Sequence, residues 1–302
     1  MKKILLFLPL LFILFFIPER VWEEEWFGFD TLIRVKVWGR NPWRVRKAIK
    51  EVKEEFSGLE KLASPYIQSG KIPPELKEMI QMSIYVASQT HGAFDPSTGP
   101  LMELWKRFKE PFLPSPQDIE KAKKFVDWRR VKIKGDSLIL PPGFYLDLGG
   151  VAKGYAIEKG IEILKKHGIK KAIIDAGGDL GIMGRKPGGW KIGIQDPRNP
   201  SGILDTFRLE EGYVATSGDY QRYFILDGVR YHHILNPKTG YPARKSISCT
   251  VVGKNGALAD AIATAVFVLG PDGMDIFPEV SIYLVDREGK VWKKGKHFST
   301  KN

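Results

Sequence analysis

Two acidic glycine turns, a histidine pair and one apolar helix hold the residues whose types and spacing could do chemistry. Asp147-Leu148-Gly149-Gly150 opens onto a helical pattern of Ile157, Ile161 and Leu164, with Lys153 in its first turn and Gly168 at its stop. A helix further on, the run Ala172 to Ile174 delivers Asp175 and then Gly177-Gly178-Asp179. Glycines let backbone amides approach a phosphate, and a helix N-terminus adds positive potential there. Read chemically, the two turns form a phosphate site; read plainly, they are the tight turns of an α/β unit. The spacing G-x-G-x-x-G is absent, so this is no dinucleotide fingerprint.

In Ala257 to Gly270, a stretch apolar nearly all round, Asp260 and Thr264 stand four apart and share a helix face. A carboxylate in such surroundings needs a counter-charge, which a hard, oxygen-loving cation such as Mg²⁺ supplies. The plain alternative places Asp260 in a first turn favoured by the helix dipole, with Thr264 bonded to the preceding turn. His232 and His233 precede the turn Asn236-Pro237-Lys238-Thr239-Gly240. On a strand they point to opposite faces, as an inward and a solvent-facing pair, and their spacing is not that of metal ligands. The single cysteine, Cys249, sits in the strand-like Ser248 to Val252, which excludes an internal disulfide and reads as a buried, inert thiol.

The elements that must position these groups are legible in outline. Thr31 to Trp38 reads as a strand. Val45, Ile49, Val52, Phe56 and Leu59 mark one face of a helix, and Leu76, Ile80, Ile84 and Ala87 mark a second that ends near Gly92. The turn-rich Ala93 to Pro100 runs into a short helix over Leu101 to Phe108. Ser115 caps another that runs to Phe125, and Val131 to Leu140 forms a hairpin turning at Gly135-Asp136. A strand precedes Asp147 at Tyr145. Trp190 to Gln195, Tyr213 to Thr216, Tyr223 to Leu226 and Tyr231 to Leu235 supply more, with Asp227-Gly228 between the last two. No repeat or long linker separates these pieces, so one α+β domain is expected over residues 21–302.

The 302 residues are 43% hydrophobic, enough for a sizeable core, and carry a net charge of +12. The basic residues are scattered without an arginine-rich arm or basic-aromatic motif, which argues against nucleic acid and leaves anionic phospholipid or a phosphate-bearing ligand. Lys2-Lys3 and the apolar run Ile4 to Ile17 have the form of an export signal. Pro18-Glu19-Arg20 follows in place of a small-x-small cleavage site, so residues 1–20 read as a short signal anchor rather than a cleaved signal peptide. The expected location is the inner membrane, on its periplasmic or extracytoplasmic face.

Taken in order, five motifs resemble the bacterial ApbE family of FAD:protein FMN transferases, over about Phe29 to Leu284. They are Gly92-Ala93-Phe94-Asp95-Pro96 to Trp105, Asp147-Leu148-Gly149-Gly150 to Tyr155, Gly177-Gly178-Asp179, Ser217-Gly218-Asp219-Tyr220 with His233 to Gly240, and Ala259-Asp260-Ala261 to Ala265. The resemblance implies a compact α+β domain that binds FAD with Mg²⁺. It further implies transfer of the FMN half to a threonine of an exported or membrane-bound acceptor flavoprotein, such as a subunit of a membrane redox complex, with AMP released. It makes Asp147 and Lys153 flavin-nucleotide contacts and puts Tyr66, Trp105, Lys106, Arg107 and Leu235 against FAD. Gly150, through its carbonyl, joins Asp260 and Thr264 as metal ligands, and His233 stands near the reacting phosphate as the base. Asn236 in place of the usual aspartate, Phe29 in place of a methionine, and a short loop from Ser64 to Ile72 depart from the pattern. No cysteine is present near the N-terminus for lipid attachment.

Three activities fit these residues: the transferase, a Mg²⁺-dependent FAD pyrophosphatase with water in place of threonine, and an exported flavin-binding protein without turnover.

Overall fold

The computed structural model describes residues 18–298 apart from 65 and 107–111. The export segment up to Ile17, Arg107, the side chain of Lys106 and the end of the helix expected to reach Phe108 therefore lie outside the described residues. Along the chain, β1 (Arg20–Gly28) and β2 (Thr31–Gly39) lead to α1 (Pro42–Ala63), β3 (Gly70–Lys71), α2 (Pro74–Gln89), α3 (Gly99–Lys106) and α4 (Pro116–Lys123). Then come β4 (Lys132–Lys134), β5 (Ser137–Ile139), α5 (Ala152–Lys166), β6 (Lys171–Ala176), β7 (Asp179–Met183), β8 (Trp190–Gln195) and β9 (Ile203–Leu209). The remainder is β10 (Gly212–Gly218), β11 (Tyr223–Leu226), β12 (Val229–His232), β13 (Ser246–Gly253), α6 (Gly256–Leu269), β14 (Ser281–Asp286) and β15 (Val291–Lys294).

Eight of these strands form one sheet in the order β1-β2-β6-β7-β10-β13-β14-β15, every neighbouring pair antiparallel. Both faces are covered, and side-chain alternation shows how. In β14, Ile282 and Leu284 join the α6 core with Cys249 and Val251, whereas Tyr283 and Val285 meet Trp190, Phe207 and Leu209 of the β8–β9 hairpin on the other face. Helices α1 and α5 bury Val45, Ile49, Val52, Phe56, Ile157 and Ile161 against Ile33, Val35 and Ile174. Each such buried side chain contributes roughly 1.5–3 kcal/mol. The segment Gly256–Gly273 is apolar and long enough to cross a membrane, but 72% of it is buried inside the fold, as suits a core helix.

A strand not read in the sequence, β1, sets Trp22, Glu24 and Trp26 on one face and Val21, Glu23 and Glu25 on the other. Its acids pair across the strand, Glu23 with Lys36 at 3.2 Å and Glu25 with Arg34. No strand precedes Asp147; only an isolated bridge joins Leu146 to Ile67, since Gly143 and Gly149-Gly150 interrupt the run on both sides. The strand expected to reach Leu235 stops at His232, where the chain turns towards Asn236. Strand β9 is not apparent in the sequence: Phe207 and Leu209 alternate with exposed Thr206 and Arg208, but Asp205 stands on the inward register and Ile203-Leu204 are exposed, which breaks the apolar pattern.

Helices α5 and α6 cross at a point with no side chain between them. A methyl group at Gly154 would lie 2.2 Å from the Gly256 carbonyl oxygen, and one at Gly256 would lie 2.5 Å from that of Gly154. One turn along α5, Glu158 fastens the start of α6. Its Oε1 accepts from Asn255 Nδ2 at 3.0 Å and its Oε2 from the Gly256 N–H at 3.1 Å, while Asn255 itself caps the helix. This junction brings Asp260 over the first turn of α5.

Candidate active site

The start of α5, one face of α6, the loop around Phe94 and the turn after β12 surround a cleft of about 450 Å³. Tyr66, Asp147, Gly149, Gly150, Lys153, His233, Leu235, Asp260 and Thr264 line it. The sequence therefore named groups that the fold collects from widely separated segments. Trp105 is not among the lining residues. Its indole donates to the Gly240 carbonyl at 2.8 Å and stacks on Tyr231, so it braces the turn that carries Leu235 and Pro237 into the cleft.

At the mouth of α5, Asp147 Oδ1 accepts from the Gly149 N–H at 2.8 Å and shapes the glycine turn. A methyl group at Gly150 would stand 2.8 Å from Phe94 Cε2 and 3.4 Å from Thr264 Oγ1. It is the Phe94 ring that leaves no room for a side chain at Gly150, while the threonine hydroxyl is at ordinary contact distance. Asp95 sets the Phe94 loop by accepting from Ser97 N at 2.8 Å and Trp128 N at 3.0 Å, and burial holds its carboxyl above the usual range.

The second glycine turn does not line the cleft. Gly177 and Gly178, at φ 65° and 96°, close the β6–β7 hairpin as a tight turn, and Asp175 accepts from the Gly178 N–H at 2.9 Å. Its contribution is Asp179, which is 1% exposed and binds the Lys153 ammonium while accepting from Thr216 N at 2.8 Å. Burial alone would lower the Lys153 pKa, but Asp179 and Asp260 more than offset it and leave the group raised and cationic.

Asp260 is buried, and Oδ2 accepts from the Gly154 N–H at 3.0 Å. Burial pushes its carboxyl up to about 7, against the opposing pull of Lys153. Thr264 Oγ1 lies 3.0 Å from Ser217 Oγ. A carboxylate, a hydroxyl and the adjacent Gly150 backbone are hard oxygen donors that suit Mg²⁺. Among the described residues no group of three His, Cys, Asp or Glu converges. With one carboxylate, a cation here would draw its other charge-bearing ligands from a bound phosphate, the usual arrangement for Mg²⁺ at phosphoryl-transfer sites.

The two histidines divide as their opposite faces require. His232 is buried; Nδ1 accepts from Ile234 N at 3.2 Å, so Nε2 donates to the Ala243 carbonyl at 2.8 Å, and burial keeps the ring neutral. His233 lines the cleft, with Nδ1 3.2 Å from the Arg222 carbonyl oxygen. In the tautomer that donates from Nδ1, Nε2 carries the lone pair of a base. Across the rim, Arg222 pairs with Asp30 at 3.2 Å. Sequence reasoning missed this pair and the Ser217–Thr264 contact, whose members are far apart in the chain and carry no shared spacing.

Fold and cleft together define an α+β protein with a polar-lined pocket between the mouth of one helix and a core helix. The ApbE family model matches residues 29–281, and the chain belongs to that family. The FAD:protein FMN transferase of Treponema pallidum (strain Nichols) is 32% identical over 282 residues, covering 80% of this chain and 76% of the relative. That of Vibrio cholerae is 30% identical over 218 residues, covering 70% of this chain and 64% of the relative. The crystal structure of the ApbE protein from Thermotoga maritima superposes with a TM-score of 0.82 at 33% identity, covering 91% of this chain and 97% of that one.

Proposed function

We propose that this chain is a FAD:protein FMN transferase that uses Mg²⁺, attaches FMN to a threonine hydroxyl of an acceptor flavoprotein and releases AMP. The observation that carries the reading is the junction of Asp260, Thr264 and Gly150 at the mouth of α5, inside a cleft of about 450 Å³. A phosphate bound there meets the helix N-terminus and the Lys153 ammonium, and the donor set offers a place for the cation between them. Bound Mg²⁺ would neutralise pyrophosphate charge as the bridging bond breaks.

The chain's own residues do the rest. Lys153, held by Asp179, stabilises charge on the phosphates. Tyr66 presents a ring to the flavin end, tilted against Tyr145 at 5.1 Å. His233 Nε2 accepts the threonine proton as Oγ attacks the phosphorus on the FMN side; the P–O bond to the AMP half breaks and AMP leaves with the electron pair. Positioning and charge neutralisation dominate such a transfer.

Incubation with FAD, Mg²⁺ and an acceptor, followed by denaturing gels viewed for flavin fluorescence, tests the reading. Fluorescence on the acceptor that vanishes when its threonine is replaced by alanine is expected. Free FMN and AMP with an unlabelled acceptor would make the protein a pyrophosphatase, and no AMP at all would make it a flavin binder.

A further inference from the structure

The end of the molecule where the chain joins the fold is basic and aromatic. Arg20 pairs with Gly39 at the start of β1, and Asn41 caps α1 beside it. In the first turn of α1, Trp43 is 73% exposed, with Lys47 Nζ 5.5 Å above its ring. Arg46 lies 5.6 Å over Trp22, whose indole donates to the Gly39 carbonyl at 3.1 Å. Arg40 and Arg44 are exposed around them, and Glu19, the acid next to Arg20, is already paired with Lys171 at 2.8 Å. An indole left in water among long cations suits a membrane interface, where the ring sits at headgroup depth and the cations meet anionic lipid. The apolar run Ile4 to Ile17 immediately precedes this end.

We propose that the face formed by Arg20, Arg40, Trp43, Arg44 and Lys47 seats on an anionic phospholipid surface. The proposal rests on the reading of residues 1–20 as a membrane anchor. Strand β1 then sets the height of the site. Its nine residues end at Gly28, and Phe29 and Asp30 beyond it line the cleft. At about 3.4 Å per residue, roughly 30 Å separates the cleft rim from the lipid-facing end.

The full chain, placed in vesicles that carry nitroxide headgroups, tests this. A dye on Lys50→Cys, one turn along α1 from Lys47 and remote in sequence from the anchor, reports the proposed face, and one on Ile225→Cys the far hairpin; both positions are exposed, and Cys249 is buried and stays unlabelled. In phosphatidylglycerol vesicles the dye at position 50 should be quenched and that at 225 should not. A basic residue near such a surface is worth about fivefold, so the triple variant Arg40→Gln, Arg44→Gln, Lys47→Gln should cut the ratio of quenched to unquenched dye roughly a hundredfold. Quenching that is unchanged in the triple variant, or that is as strong in phosphatidylcholine vesicles, overturns the lipid-facing patch and leaves the anchor standing. A chain that does not float with the vesicles overturns both.

Discussion

Asp260 carries the sharpest consequences at the level of single residues. Burial lifts its carboxyl to about 7, well above the value near 4 of an unfolded chain. The folded state therefore holds this proton more tightly. The resulting stability is fully present below about pH 4 and is lost as pH rises through about 7. A cation needs the ionised form, so the Mg²⁺-induced rise in Tm should be small near pH 6 and grow above pH 7. Asp260→Asn should remove both the pH slope and the Mg²⁺ response, as read from Tm against pH with and without the metal; an undiminished Mg²⁺ response in the variant would dismiss the assignment. His233→Asn should slow FMN transfer about 10²- to 10⁴-fold at saturating FAD with nearly unchanged FAD affinity, because a base acts in the transition state. Single-turnover rates across pH check this, and a variant that regains full rate at saturating FAD would mark the histidine as a flavin contact. The pairing of Asp260 with Thr264 was legible because helical spacing puts the two on one face whatever the tertiary context. The Gly177-Gly178-Asp179 turn supports two readings in the sequence for the opposite reason. A glycine turn with an acid has the same sequence whether its amides face a ligand or it merely closes a hairpin, and only the packing of α5 against β7 and β10 decides.

Between elements, what holds the site is the contact of α5 with α6. A Cβ at Gly154 would fall 2.2 Å from the Gly256 carbonyl oxygen, so Gly154→Ala must push the helices apart. The expected cost is about 1–3 kcal/mol, read in denaturant unfolding, together with a weakened Mg²⁺ response as Asp260 draws away from Gly150. A variant as stable as the parent would mean that the crossing tolerates a methyl group. Glu158→Ala strips acceptors from Asn255 and the Gly256 N–H and should cost about 1–2 kcal/mol. Glu158→Gln keeps one acceptor and should recover part of that loss. Helical periodicity makes α5 visible in the sequence and the long apolar run from Ala257 makes α6 so, and a cap at Asn255 is equally readable. Their crossing is not, since neither Gly154 nor Gly256 signals a partner about a hundred residues away. Strand β1 was obscured by Glu23-Glu24-Glu25, whose charges read as solvated until Arg34 and Lys36 of β2 are set opposite two of them.

On the scale of the whole molecule, the α+β class followed from the mixture of helical and alternating patterns. The order of strands in the eight-stranded sheet did not, because β2 pairs with β6 across more than a hundred residues of intervening chain and nothing local encodes that choice. The export segment leads to the expectation that the full-length chain fractionates with membranes and faces the periplasm or cell exterior; a fusion after residue ~30 that reports a cytoplasmic location would refute it. The central claim, that the junction of α5 and α6 serves transfer of FMN from FAD to a protein hydroxyl, is tested most directly by mass spectrometry of an acceptor after incubation with the enzyme, FAD and Mg²⁺. Expected are one FMN joined through a phosphoester to a single threonine, one AMP released for each flavin attached, and neither product with Asp260→Asn. Release of AMP and free FMN while the acceptor mass stays unchanged would contradict that claim.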